Sequence, residues 1–221
     1  MNHRVRVLLV DDHAVVRHGY RRLLDNDAAI EVVAEAANAT EAYQRFCAFD
    51  PDVVVMDISL PGASGIEALR RILARQAGAR VLVFSMHEDA IFPTRALAAG
   101  ARGYVTKASA PDVLLEAVHA VAAGKRYLSH DVAQALALRS TAGEERAVRS
   151  LAAREFEVLR LLVQGDTLAN IAEKLGMTQK TVANHQSAIK QKLGVANSAQ
   201  LVLLAIRLGV LDTTSTTVRN E

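Results

Sequence analysis

Val5-Arg6-Val7-Leu8-Leu9-Val10, closed by Asp11-Asp12, is the stretch that decides the fold. It is an apolar, β-branched run that ends abruptly in acid, and three later runs repeat it. Val53-Val54-Val55-Met56 stops at Asp57, Val81-Leu82-Val83-Phe84 at Ser85, and Gly103-Tyr104-Val105-Thr106 at Lys107. Unbroken runs of this kind are what strands buried on both faces of a parallel sheet look like. In an open α/β sheet, ligands sit outside the carboxyl ends of the strands. Three carboxylates, a hydroxyl and an ammonium therefore converge on one site. Such a set suits Mg²⁺ and a phosphoryl group, because oxygen ligands hold the metal and the ammonium offsets phosphoryl charge.

Between these runs the pattern turns helical. Residues 14–24 place Val15, Val16, Tyr20, Leu23 and Leu24 at helical spacing, and residues 30–34 form another strand. Helices follow over 40–49, from the Leu60-Pro61-Gly62-Ala63-Ser64-Gly65 loop to about 76, over 89–99, and from about Asp112 to Gly124. Alternating strands and helices predict a doubly wound, five-stranded parallel α/β sheet over residues 1–123. Residues 124–150 read as a linker with one short helix near 131–138, because Arg139-Ser140-Thr141-Ala142-Gly143-Glu144-Glu145 is small and polar.

From 151 to 211 the signal is all-α: helices over 153–164, 168–175, 178–193 and 198–208, each stopped by a glycine. The tail over 212–221 is polar and expected to be flexible. Two short helices joined by Gly176, with Thr178 as N-cap, have the punctuation of a helix-turn-helix. The second helix would turn Gln179, Lys180, Ala183, Asn184, Ser187, Lys190 and Gln191 outwards, and Val182, Ile189 and Leu193 inwards. Lysines can meet phosphates there, and Asn or Gln can pair with adenine edges.

Charge divides along the same boundary. Residues 1–123 carry 13 Lys+Arg against 15 Asp+Glu, a net of −2, whereas residues 151–211 carry 7 against 4, a net of +3. An acidic first domain and a basic second one fit a signal-receiving part and a part that faces a polyanion. No run of about 18 apolar residues occurs, so no transmembrane helix is expected. The N-terminal residues lack a signal peptide's apolar stretch, and the single cysteine, Cys47, fits the reducing cytoplasm. Cys47 lies among apolar neighbours and is expected to be a buried small hydrophobe. None of the seven histidines shows metal-ligand spacing.

Together these residues resemble the NarL/FixJ-type response regulators of bacterial two-component systems, which carry a LuxR-type helix-turn-helix. The resemblance runs through Leu8-Leu9-Val10-Asp11-Asp12-His13, Val55-Met56-Asp57-Ile58-Ser59-Leu60-Pro61-Gly62, Ser85, and Gly100-Ala101-Arg102-Gly103-Tyr104-Val105-Thr106-Lys107. In the second half it rests on Leu151 to Leu159, Ile171-Ala172-Glu173-Lys174-Leu175, Lys180-Thr181-Val182-Ala183-Asn184-His185 and Lys192-Leu193-Gly194-Val195. It implies that Asp57 accepts a phosphoryl group from a sensor histidine kinase. Asp11, Asp12, Asp57 and the backbone carbonyl of Ser59 would hold Mg²⁺, while Lys107 and Ser85 contact the phosphoryl oxygens. Tyr104 would rotate towards Ser85 as the switch. In the second domain Asn184, Ser187 and Gln191 would lie near bases, and Lys180, Thr181, Lys190 and Lys192 on phosphates of promoter DNA. Leu201, Val202, Leu204 and Ala205 would form a dimer contact after phosphorylation, with RNA polymerase as a further partner.

Taken singly, each residue has a blander reading. Asp12 can be a helix cap, Asp57 a turn residue, Lys107 a solvated loop lysine and Tyr104 plain core. Only their joint placement at strand ends favours the switch. Some positions depart from the family pattern: Met86 stands where a small residue is usual and could narrow access to Asp57. Ala183 replaces a frequent lysine, and Ala196-Asn197-Ser198-Ala199 a frequent Arg/Thr pair. Two rival classes remain: an aspartyl-phosphate phosphatase, and an interaction module indifferent to phosphate. The phosphatase needs a second Asp two residues after the nucleophile, where this chain has Ser59, and the module would lack part of the acid and lysine set kept here.

Overall fold

The computed structural model describes residues 4–138, 150–207 and 210. The chain divides into two compact units, residues 1–139 and 140–221. The polar stretch 139–145 of the expected linker and the flexible tail expected over 212–221 lie outside the described residues.

The first unit runs β1 (Val5–Val10), α1 (Ala14–Asp25), β2 (Ile30–Ala36), α2 (Ala39–Phe49), β3 (Val53–Met56), α3 (Gly65–Arg75), β4 (Val81–Ser85), α4 (Ile91–Ala98), β5 (Gly103–Thr106), α5 (Pro111–Ala122), β6 (Tyr127–Leu128) and α6 (His130–Leu138). All strand pairs are parallel, in the order β2-β1-β3-β4-β5-β6. Every residue of β3, β4 and β5 is buried, which is why those runs carry no polar alternation. On one face Leu24 of α1 and Leu114, Ala117, Val118 and Val121 of α5 pack against Val7, Leu9, Val53, Val55, Leu82, Phe84 and Val105. Side-chain caps fix where helices begin: Asn38 accepts from the Glu41 amide and Ser64 from the Glu67 amide.

The sheet has six strands, not the expected five. β6 pairs with β5 through Gly103↔Tyr127 and Tyr104↔Leu128. Two half-buried residues on a sheet edge, after Lys125-Arg126, leave no apolar run for a sequence reading to find. Helix α6 then packs back on β5 and α4, with Val132 fully buried and the Thr106 hydroxyl donating to Asp131 at 2.7 Å. The first unit therefore continues well past residue 123. Cys47 is also corrected: it is exposed on α2, because the buried stripe of that helix is Ala39, Ala42 and Phe46.

The second unit comprises α7 (Ala153–Val163), α8 (Leu168–Leu175), α9 (Gln179–Leu193) and α10 (Ser198–Arg207). Thr167 and Thr178 cap α8 and α9 by accepting from the Asn170 and Thr181 amides. Gly176, with φ +63°, ends α8 in the left-handed conformation that a side chain would strain. The chain then turns within two residues into the Thr178 cap. Val182 and Ile189 anchor α9 in the core, while Leu193 is half-buried.

Candidate functional site

The order of strands reverses between β1 and β3, and there the crevice of a doubly wound sheet opens. Asp11 follows β1, Asp57 follows β3, Ser85 ends β4 and Lys107 follows β5. Strand register holds them together: Val10 pairs with Met56, and Ser85 with Thr106. The Asp57 amide donates to Val10 O at 2.9 Å, and the Lys107 amide to Ser85 O at 2.8 Å.

Lys107 Nζ donates to Asp11 Oδ2 and Asp57 Oδ2, each at 2.5 Å. All three groups are buried, with side-chain exposures of 6, 2 and 4 %. Burial by itself would lower the lysine's pKa, but the Asp57 charge and the bonds to both carboxylates outweigh it and hold the ammonium above its ordinary value. The second oxygen of each carboxylate is tied to backbone: Asp57 Oδ1 accepts from the Ser59 amide at 3.0 Å and Asp11 Oδ1 from the His13 amide at 2.8 Å. The pocket is built to keep two negative charges close around one cation.

Asp11, Asp12 and His13 form a group whose ligand atoms lie within 4.8 Å of one another. Asp12 Oδ1 is buried and makes no hydrogen bond, although it stands 2.8 Å from His13 Nδ1. A buried carboxylate oxygen without a donor is costly, and a cation would relieve it. Oxygen donors of this kind fit a hard divalent ion such as Mg²⁺.

Ser85 and Tyr104 are fully buried. The Tyr104 hydroxyl donates to His87 O at 2.8 Å, and burial pushes its phenol pKa far up. His87 was not singled out from the sequence, yet it ties the loop after β4 to Ser59, two residues from Asp57. Its Nε2 lies 3.0 Å from Ser59 Oγ, and its ring stacks on Phe92 with centroids 3.9 Å apart. Met86 is 69 % exposed.

On α9, Lys180, Asn184, Ser187, Gln191 and Lys192 are exposed, while Thr181 and Lys190 are half-buried. The Ser187 hydroxyl donates to Ala183 O at 3.1 Å. Lys192 departs from its expected place on phosphate: its Nζ binds both Glu155 oxygens, at 2.8 and 2.6 Å. The expected dimer face is also corrected. Leu201, Leu204 and Ala205 are 2, 7 and 1 % exposed and belong to the domain's own core; Val202 is half-buried, and Leu203 is the exposed one at 61 %. A ten-residue helix closing a small domain must bury its apolar stripe, which leaves the adjacent position free.

Residues 7–119 match the response regulator receiver domain family. The chain belongs to the response regulators. Residues 149–205 match the bacterial regulatory proteins of the luxR family, so this is a two-component response regulator with a helix-turn-helix DNA-binding domain. It is 36 % identical to response regulator GacA of Pseudomonas aeruginosa over 96 % of this chain and all of that one. It is also 36 % identical to response regulator UvrY of Escherichia coli, over 94 and 96 % of the two chains. A LuxR-family two-component response regulator from Aurantimonas is 50 % identical in its solved structure, covering 61 % of this chain and 96 % of that one with a TM-score of 0.60. RcsB of Salmonella enterica serovar Typhimurium, solved on the rprA promoter with phosphomimetic BeF3-, is 27 % identical over 91 and 98 %, TM-score 0.66. These likenesses support transcription regulation as this response regulator's function. No helix among its described residues is long and apolar enough to cross a membrane.

Proposed function

We propose that Asp57 of this response regulator accepts a phosphoryl group from a sensor histidine kinase, and that the acyl phosphate switches pairing and promoter binding by the helix-turn-helix domain. The supporting observation is the buried Asp11–Lys107–Asp57 bridge at the switch point of the sheet. An Asp57 carboxylate oxygen attacks phosphorus as the phosphorus–nitrogen bond to the kinase imidazole breaks. Lys107 then turns from bridging carboxylates to holding a phosphoryl oxygen. Ser85 donates a hydrogen bond to a second oxygen, and Tyr104 rotates towards the space Ser85 vacates, as the switch. Asp11, Asp12, Asp57 and the Ser59 carbonyl would hold Mg²⁺, which supplies neutralisation of the charge on the transferring group. Ser59 stands where a phosphatase would need its second acid, which favours a lasting acyl phosphate over turnover.

RcsB was solved as two dimers bound to two parallel DNAs. By analogy, two phosphorylated copies of this chain would bind a pseudo-palindromic site, with α9 in the major groove. Asn184, Ser187 and Gln191 would face bases, and Lys180, Thr181 and Lys190 phosphates. Incubation with acetyl phosphate and Mg²⁺, followed by intact-mass measurement, should show one phosphoryl addition that Asp57→Asn abolishes. Equal addition to the Asn variant would overturn the assignment.

A further inference from the structure

Arg17 belongs to none of the groups assigned so far, and it holds the acidic pocket from behind. It lies at the end of the first turn of α1 with its side chain 18 % exposed. Its Nη1 donates to the main-chain carbonyl of Asp11 at 2.6 Å, and its Nε to Glu35 Oε2 on β2 at 2.9 Å. Glu35 is held in turn by Arg21, whose Nη1 donates to Oε1 at 2.6 Å. The two arginines outweigh burial and keep the Glu35 carboxyl below its ordinary range, so it stays an anion.

The main chain at Asp11 is thereby fixed on both sides. Its amide donates to Ala36 O at the end of β2, at 3.1 Å, and its carbonyl accepts from Arg17. That carbonyl belongs to the peptide linking Asp11 to Asp12. Asp12 needs such control: its buried Oδ1 makes no hydrogen bond, and the side chain beside it, at 2.8 Å, is the exposed His13 ring.

We infer that Arg17, held by Glu35, is a positioning residue that aims the Asp11–Asp12 carboxylates for a divalent cation. This rests on the reading of the pocket as a Mg²⁺ site. Partners that orient ligands from behind typically change metal affinity by about tenfold or more when removed. Charge alone acts the other way. A guanidinium beside an acidic pocket opposes cation binding, so a purely electrostatic role predicts tighter binding once it is gone. Lysine separates the two effects, because it keeps the charge but cannot span a carboxylate and a carbonyl with one planar fork.

The test is calorimetric titration of Mg²⁺ alone into the full-length wild type, Arg17→Gln, Arg17→Lys and Glu35→Gln, after thermal unfolding in EDTA has shown each to be folded at the titration temperature. Both Arg17 variants should bind Mg²⁺ about tenfold or more weakly, with Glu35→Gln weakened in the same direction. Should Arg17→Gln not fold, Arg17→Lys and Glu35→Gln decide the matter. Wild-type affinity in Arg17→Lys, or unchanged or tighter binding in Arg17→Gln, overturns the positioning role while the Mg²⁺ reading stands. A wild type that takes up no Mg²⁺ overturns that reading and the inference with it.

Discussion

Lys107 concentrates the physics of the receiver in one side chain. Two carboxylates face it at a buried position, and it is their counterion. Breaking a buried ion pair by deleting one partner typically costs about 3–5 kcal/mol, because the other charge is left uncompensated. Lys107→Ala should therefore lower stability to urea by roughly 3 kcal/mol in EDTA, within that range, and Mg²⁺ should restore part of the loss. Unchanged stability in EDTA would mean that the bridge carries no weight. Asp11, Asp57, Ser85 and Lys107 were legible in the sequence because each stands where an apolar run stops. Arg17 and His87 were not. Arg17 lies within a helix, His87 in a loop after a strand, and their partners are a carbonyl and a hydroxyl on other elements. Nothing in linear spacing marks such contacts.

Elements with strong periodicity were read to within a residue or two, whereas β6 was missed because two half-exposed residues give no period. Helix α3 shows how tightly an element can be held to the site. A Cβ on Gly65 would stand 2.0 Å from Asp57 O, so the helix must open on glycine to lie against the loop that follows β3. In the second unit, Glu155 at the start of α7 ties down Lys192 near the end of α9 and also caps the Ala152 amide at 2.7 Å. Burial opposes ionisation of Glu155, but these bonds prevail and keep its pKa below the ordinary 4.5. A lowered carboxyl pKa stabilises the fold above the unfolded value, and that contribution is lost as pH falls through the folded one. The helix-turn-helix unit should thus lose about 1 kcal/mol or less below pH about 4.5, given the partly exposed lysine. Glu155→Gln should flatten that acid limb in thermal melts; an identical limb would refute the linkage. Which residues of α10 point out could not be read from composition, since Leu201, Val202, Leu203 and Leu204 are all apolar. Leu203→Glu should leave the fold intact and weaken pairing on DNA, whereas Leu204→Glu should unfold the unit, as circular dichroism and sedimentation would show. Pairing unaffected by Leu203→Glu would remove α10 as the contact.

At the scale of the whole molecule, the chain joins a receiver of net −2 over residues 1–123 to a helical unit of net +3 over residues 151–211. The chemistry of the first becomes useful only if it changes what the second can bind. Phosphate contacts make promoter affinity fall steeply with salt, so comparisons of the two states need one fixed ionic strength. The most direct measurement is molar mass by light scattering, with and without beryllofluoride plus Mg²⁺, on the intact chain and on Asp57→Asn. The expected result is a monomer that becomes a dimer only when beryllofluoride is present and Asp57 is intact. A mass that does not change, or one that doubles equally in Asp57→Asn, would contradict a switch driven from Asp57.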